Sequence, residues 1–145
     1  MTFGIVVAEF NAHISDALLE GARRYFREHA IADDAVSIVH VPGAYEIPLA
    51  AKTMALTNAW SAVICLGAVI RGETAHFEYV AGECARGLQQ VSLDTGVPMI
   101  FGVLTTENLA QAEARSGADR TNKGYECANA AVAMVTTLQS IKRTL

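Results

Sequence analysis

The sequence predicts a three-layer α/β sandwich, in which about four parallel strands are covered by helices on both faces. Short apolar runs alternate with longer amphipathic runs along the 145 residues. The run 61–70 is apolar almost throughout, which is typical of a strand buried on both faces of a parallel sheet. Strands separated by helical segments form right-handed βαβ units, so the strands are expected to run in one direction.

The strands are predicted where the apolar runs are short, and they cover residues 3–8, 35–41, 61–70 and 98–105. The helices are predicted where apolar residues recur at helical spacing. They cover residues 14–29, 44–56, 75–96, 107–117 and 125–145, and a polar connection, 118–124, precedes the last one.

Individual side chains support these helices. Apolar residues recur at helical spacing in the first and the last helix, as Ile14, Leu18, Ala22 and Tyr25 and as Met134, Leu138, Ile141 and Leu145. Pro48 is compatible only with the first turn of its helix, because proline has no N–H to donate. The third helix is expected to end near Gly96.

The composition favours a single domain over residues 1–145. Hydrophobic residues make up 52% of the chain and charged residues 18%, so we expect apolar surface to be hidden between subunits of a homo-oligomer. The net charge is −4, and no basic stripe appears, which argues against a nucleic-acid partner. No apolar stretch approaches the length needed to cross a membrane.

The cysteines predict a reduced protein. Cys65, Cys84 and Cys127 are odd in number and far apart, which argues against disulfides and zinc sites. Cys65 lies within an apolar run and is interpreted as a small core residue. Reduced thiols and the lack of a leader peptide predict the cytoplasm.

Loops at the carboxyl ends of the strands are the expected place for a ligand. Phe10 and Asn11 follow the first strand. An aromatic ring there can stack on a planar ligand, and an amide can hold a hydroxyl. The alternative is structural, with Phe10 packed beneath the next helix and Asn11 capping it.

The loop after the second strand contains Gly43, Ala44, Tyr45 and Glu46. Gly43 allows the backbone to turn or a ligand to approach closely. Glu46 in the first turn of a helix is explained by the helix dipole alone, or it holds hydroxyls or amines of a ligand.

The loop after the third strand combines Gly72, Glu73 and Thr74 with a helix start. Free N–H groups, a glycine and a hydroxyl form a suitable site for an anion such as phosphate. His76 lies two residues beyond Thr74, and histidine exchanges protons near neutral pH. The alternatives are a simple N-cap for Thr74 and a structural histidine.

The fourth loop carries a capping signal, Asn108 followed by Gln111. Phe101, upstream in the fourth strand, is by itself interpreted as a core residue. Arg115 and Lys123 flank the polar connection. They are ordinary surface charges, or Arg115 grips a phosphate if it converges on the third loop.

The common cofactor motifs are absent from the sequence. It contains neither a dinucleotide-binding glycine pattern nor a P-loop, no metal-ligand spacing and no nucleophile elbow. The residues alone therefore support a small phosphorylated ligand, a ring-stacking aromatic and one proton-transfer group.

Five segments, taken together and in order, resemble the lumazine synthase family. They are FN after the first strand, VPGAYEIPLAA, LGAVIRGETAHFEYV, FGVLTTEN and NKG. The expected fold is therefore a sandwich whose four-stranded sheet has the flavodoxin-like order. The resemblance implies that 5-amino-6-(D-ribitylamino)uracil is joined to 3,4-dihydroxy-2-butanone 4-phosphate in riboflavin biosynthesis. Phosphate and water leave, and no metal or organic cofactor is implied.

The resemblance also implies roles for residues of this chain. Proton transfer is implied for His76. Substrate binding is implied for Phe10, Asn11, Ala44, Tyr45, Glu46, Ala68, Val69, Ile70, Glu73, Thr74, Phe101, Arg115 and Lys123. Phe10 would stack on the pyrimidine, Glu46 would bond the ribityl hydroxyls, and Thr74 would lie at the phosphate. Phe101, Arg115 and Lys123 would come from the neighbouring subunit.

Assembly is implied in the same way. Members of the family form pentamers, some build an icosahedral shell of twelve pentamers, and riboflavin synthase is a candidate partner. The chain begins almost at the first strand and has Asp119 and Thr121 in the polar connection. Many members have a longer N-terminal extension, and a lysine and a glycine or alanine at these two positions. Both departures concern regions tied to shell assembly, so the pentamer is the expected form and the shell stays open.

Two alternatives to the lumazine-forming enzyme remain. One is a non-catalytic member of the same fold that stores or senses flavin or lumazine. It predicts tight binding of riboflavin or its precursors without turnover. The other is an unrelated doubly wound phosphosugar enzyme, which the missing nucleotide and metal motifs make a weaker hypothesis.

Overall fold

A computed structural model describes residues 1–145 and contains one sheet of four parallel strands. The strands are β1 (Phe3–Ala8), β2 (Val36–Val41), β3 (Ala62–Ile70) and β4 (Met99–Thr106). They are ordered β2-β1-β3-β4, with Val6 opposite Val39 on one side and Cys65 on the other. The predicted flavodoxin-like order is confirmed.

The helices are α1 (Ala12–Glu28), α2 (Ile47–Leu56), α3 (His76–Thr95), α4 (Leu109–Ala114) and α5 (Lys123–Thr144). Short 3₁₀ turns cover Asp33–Ala35 and Ala44–Glu46. Pro48 lies in the first turn of α2, and Gly96 ends α3 with a left-handed backbone, φ 72°, as predicted. α4 is shorter than the predicted helix, since Asn108 caps its start and Arg115 is already its C-cap residue.

Two apolar layers hold the helices to the sheet. α1 and α5 cover one face, where Phe3, Ile5, Ile64 and Leu66 lie in the larger core cluster. α2 and α3 cover the other face, over Val6, Val63, Cys65 and Val103. Each fully buried side chain of this size contributes about 1.5–3 kcal/mol. The expectation that β3 is covered on both faces is confirmed.

The last helix differs from the sequence prediction in the face that it buries. Its buried side chains are Tyr125, Cys127, Ala128, Ala131 and Val135. Met134, Ile141 and Leu145 are exposed, and the last buried residue of α5 is Val135. The apolar repeat predicted the helix correctly, but it does not mark the core of the single chain.

Phe101 also differs from its interpretation as a core residue. β4 is an edge strand, so one flank of the Phe101 ring has no neighbouring strand, and 40% of the residue is exposed.

The three cysteines are free and buried. Burial raises the pKa of Cys84 to about 12 and that of Cys127 to about 11, and it raises the pKa of Cys65 well above its usual value. All three are therefore thiols at neutral pH and poor nucleophiles. None of the helices combines the length and the apolarity needed to cross a membrane.

Candidate active site

A cavity of about 740 Å³ lies where the carboxyl ends of β1, β2 and β3 meet. The chain leaves β1 towards the face covered by α1 and leaves β3 towards the face covered by α3. Neighbouring strands whose connections diverge in this way leave a crevice between them. Its lining consists of Phe10, Pro42, Gly43, Ala44, Tyr45, Glu46, Ala68, Val69, Ile70, Gly72, Thr74, His76, Phe77, Tyr79 and Val80.

Phe10 and Asn11 do not adopt the structural alternative considered for them. Phe10 is 72% exposed and lines the cavity instead of packing beneath α1. Asn11 has a left-handed backbone, φ 59°, and its side chain makes no capping hydrogen bond. Its Nδ2 donates to the carbonyl oxygen of Ala68, at 2.9 Å, and so ties the loop after β1 to the end of β3.

The loop after β2 forms a second wall. The N–H of Phe10 donates to the carbonyl of Pro42 at 3.0 Å, which holds the first two loops together. Glu46 lies at the start of α2, and a Cβ on Gly43 would come within 3.2 Å of its Oε2. A glycine at position 43 therefore leaves room for the Glu46 carboxylate beside the cavity.

The connection between β3 and α3 forms the third wall. The N–H of His76 donates to Oγ1 of Thr74 at a long 3.4 Å, and His76 is the first residue of α3. Thr74 and His76 both line the cavity at this helix N-terminus, where the helix dipole favours an anion. Glu73 precedes them but is not part of the lining.

Arg71 braces this wall from outside. Its Nε donates to Oε2 of Glu107 at 2.8 Å and its Nη1 to Oε1 of Glu78 at 3.3 Å. The guanidinium lies 4.5 Å from the ring centroid of Phe77, a cavity residue. The hydrogen bond to Glu78, followed by the charge of Glu107, raises the pKa of Arg71. Arg71 is thus engaged outside, and no lysine or arginine lines the cavity.

The remaining predicted residues lie elsewhere. Phe101, Arg115 and Lys123 line a separate cavity of about 460 Å³ along the open edge of β4. Nη1 of Arg115 donates to the carbonyl of Gln111 at 2.9 Å, and Nζ of Lys123 lies 3.6 Å from Oε2 of Glu126. One chain therefore carries two separate groups of predicted site residues, one around the main cavity without a lysine or arginine and one at the edge of β4 with two cations.

A family model described as 6,7-dimethyl-8-ribityllumazine synthase matches residues 1–139. The chain belongs to the lumazine synthase family. This family serves riboflavin biosynthesis, and membership implies an enzyme.

Nine predicted residues line the cavity. Six of them were named from the loops, and Ala68, Val69 and Ile70 came from the family resemblance alone. Asn11 supports the cavity without lining it. Pro42, Phe77, Tyr79 and Val80 were missed. Tyr79 and Val80 lie three and four residues after His76, on the same face of α3, and this helical spacing is a signal that could have identified them. No group of three or more His, Cys, Asp or Glu residues is arranged to hold a metal ion.

Proposed function

We propose that this protein is a transferase that forms 6,7-dimethyl-8-ribityllumazine from 5-amino-6-(D-ribitylamino)uracil and 3,4-dihydroxy-2-butanone 4-phosphate, releasing phosphate and water. One observation carries the proposal. In a chain of the lumazine synthase family, a single cavity brings together an exposed aromatic ring, a carboxylate, a helix N-terminus and a histidine, provided by Phe10, Glu46, Thr74 and His76.

The pyrimidine is proposed to bind at the apolar end of this cavity. Phe10 would stack on the ring, since its ring is exposed and free to pair with a planar ligand. Backbone amides at Ala68–Ile70 would contact the ring edge, because the end of a strand presents unpaired N–H and C=O groups. Glu46, with Ala44 and Tyr45 beside it, would accept hydrogen bonds from the ribityl hydroxyls.

The phosphate is proposed to bind at the N-terminus of α3, against Glu73 and Thr74. The helix end supplies N–H donors, but the cavity has no lysine or arginine to balance a dianion. A second copy of the chain would complete the site with Arg115, Lys123 and Phe101, which share one open edge. The guanidinium suits bidentate binding of phosphate, and it would steady the charge of the departing group.

His76 is proposed to carry protons between the amine, the carbonyl oxygen and water as the imine forms. Its position at the first residue of α3 puts it beside the phosphate-binding end of the cavity. A positioned acid–base group is worth about 10²–10⁴-fold. Holding the two substrates together would supply much of the remaining acceleration, because it removes the entropy of their encounter.

A ring of five subunits is the proposed assembly. In a ring, the edge of one subunit meets the pocket of the next around a closed circle, so every site can be completed. The exposed Phe101 and the separation of the two cavities support a site shared between copies. Native mass spectrometry distinguishes the pentamer from the 60-subunit shell and detects any association with riboflavin synthase.

Incubating the purified protein with both substrates tests the reaction. We expect the absorbance and fluorescence of the lumazine to rise faster than in a protein-free mixture. The variant Arg86→Gln should leave the rate unchanged and serves as a control, since Arg86 is an exposed arginine of α3 paired only with Glu83. Tight binding of riboflavin or of lumazine without turnover would identify a store or sensor and contradict the proposal.

A further inference from the structure

Asn122 is a buried polar residue at the start of α5. It is 1% exposed and uses both ends of its amide. Oδ1 accepts the N–H groups of Gly124 at 2.8 Å and Tyr125 at 3.1 Å, which caps the helix. Nδ2 donates to the carbonyls of Ala17, at 3.1 Å, and Gly117, at 2.8 Å.

Two glycines leave space for this arrangement. A Cβ on Gly21 of α1 would collide with Oδ1 of Asn122, and a Cβ on Gly124 would collide with the carbonyl oxygen of Leu18. α5 therefore starts in direct contact with α1. Both donors of the Asn122 amide are used, so a shift of this turn would break the hydrogen bonds that tie the start of α5 to α1 and to Gly117.

The same turn determines where two cationic residues lie. Lys123 follows Asn122 directly, and its N–H donates to the carbonyl oxygen of Arg115 at 2.9 Å. Both residues line the cavity at the edge of β4. Asn122 thus links α1 and Gly117 to the start of α5, next to the backbone of Arg115 and Lys123.

We propose that Asn122 is a positioning residue for the cationic half of the shared site. This inference rests on the proposed function, because it assumes that Arg115 and Lys123 bind the phosphate of the second substrate. Asn122 does not line either cavity. It holds Arg115 and Lys123 in register with each other and with α1.

Asn122→Asp is the informative substitution. It keeps an oxygen to cap α5 but loses the two N–H donors to Ala17 and Gly117. We expect the KM for the phosphorylated substrate to rise about tenfold or more, since displacement of about 1 Å at a site is costly. The KM for the pyrimidine should stay near the wild-type value.

Asn129→Asp is the matched control. Asn129 also lies between α5 and α1, where its Oδ1 accepts the hydroxyl of Tyr25 at 3.0 Å, but it does not contact the connection to Arg115. We expect this variant to leave both KM values unchanged. Equal KM changes for the two substrates in Asn122→Asp would overturn the positioning role.

Mixed assemblies separate this inference from the proposed function. Subunits of two variants are dissociated, combined in equal amounts and reassociated. Arg115→Gln combined with His76→Ala should recover about a quarter of wild-type activity, because a quarter of the sites then pair two intact halves. Recovery no greater than that of either variant alone would overturn the shared site, and the inference with it.

Asn122→Asp should behave as a lesion of the Arg115 half. Combined with His76→Ala it should recover activity, and combined with Arg115→Gln it should not. Recovery in the Arg115 pair would overturn the role of Asn122 while the shared site stands. If Asn122→Asp does not assemble, Asn122→Ser, which keeps a capping oxygen, takes its place in the same pairs.

Discussion

Asn11 donates from Nδ2 to the carbonyl oxygen of Ala68 at 2.9 Å, across 57 positions of the chain. The bond joins the loop after β1 to the carboxyl end of β3, beside the main cavity. Asn11 has a left-handed backbone, a conformation that asparagine tolerates better than most residues. The neighbouring Phe10 is thereby held with its ring towards the cavity.

Substitutions of Asn11 should separate the contribution of its hydrogen bond to stability from that of its left-handed backbone. Asn11→Gly loses only the hydrogen bond, so the free energy of unfolding should fall by about 1 kcal/mol. Asn11→Ala also forces a β-carbon into the left-handed region, so it should fall by about 2 kcal/mol or more. Urea unfolding measures both values. Equal losses in the two variants would show that backbone strain does not matter at this position.

Glu46→Gln should weaken binding of the pyrimidine substrate. If the carboxylate accepts hydrogen bonds from ribityl hydroxyls, its replacement by a neutral amide should raise the KM for the pyrimidine about tenfold, since hydrogen bonds to charged groups are worth about 1.5–3 kcal/mol. The KM for the phosphorylated substrate should not change. Glu83→Gln, an exposed glutamate of α3, is the control. An unchanged pyrimidine KM would remove Glu46 from the site.

His76→Ala should slow the reaction without abolishing it. Orientation of the two substrates survives in the variant, so kcat should fall by no more than about 10²–10⁴-fold. Steady-state rates measure the loss, and the exposed His40→Ala serves as the control. Unchanged rates in His76→Ala would take away its proposed proton-transfer role.

A hydrogen bond between α5 and α1 makes stability depend on pH. The hydroxyl of Tyr125 donates to Oε2 of Glu28 at 2.6 Å. This bond lowers the pKa of Glu28 and raises the pKa of Tyr125. Glu28 therefore stabilises the fold above its unfolded pKa, and this contribution is lost as the pH falls through its folded pKa. Tyr125 contributes below its unfolded pKa, and this is lost as the pH rises through its folded pKa.

Tyr125→Phe should remove both contributions. The free energy of unfolding of the wild type should exceed that of the variant most clearly between about pH 5 and about pH 9, and the difference should shrink in acid and in alkali. Denaturant unfolding across this range measures it. A difference that does not vary with pH would mean that the phenol acts only through packing.

The elements and their order along the chain could be predicted from the sequence. β1 was predicted with its observed bounds, and Pro48, Gly96 and Asn108 marked helix ends where the structure has them. A capping side chain, a glycine with a left-handed backbone and a proline ring each act within a few residues of the chain, so these signals can be read locally. The continuous apolarity of β3 likewise reports its burial directly.

Which distant residues meet could not be predicted from the sequence, because it depends on how the layers pack. The bond from Asn11 to Ala68, the exposure of Phe101 on an edge strand and the hydrogen bond from Asn122 to Ala17 all depend on strand order and helix contact. The separation of Arg115 and Lys123 from the main cavity also depends on this packing. Hydrophobic periodicity and helix caps are local features of the sequence, whereas contacts between distant segments follow from how the layers pack.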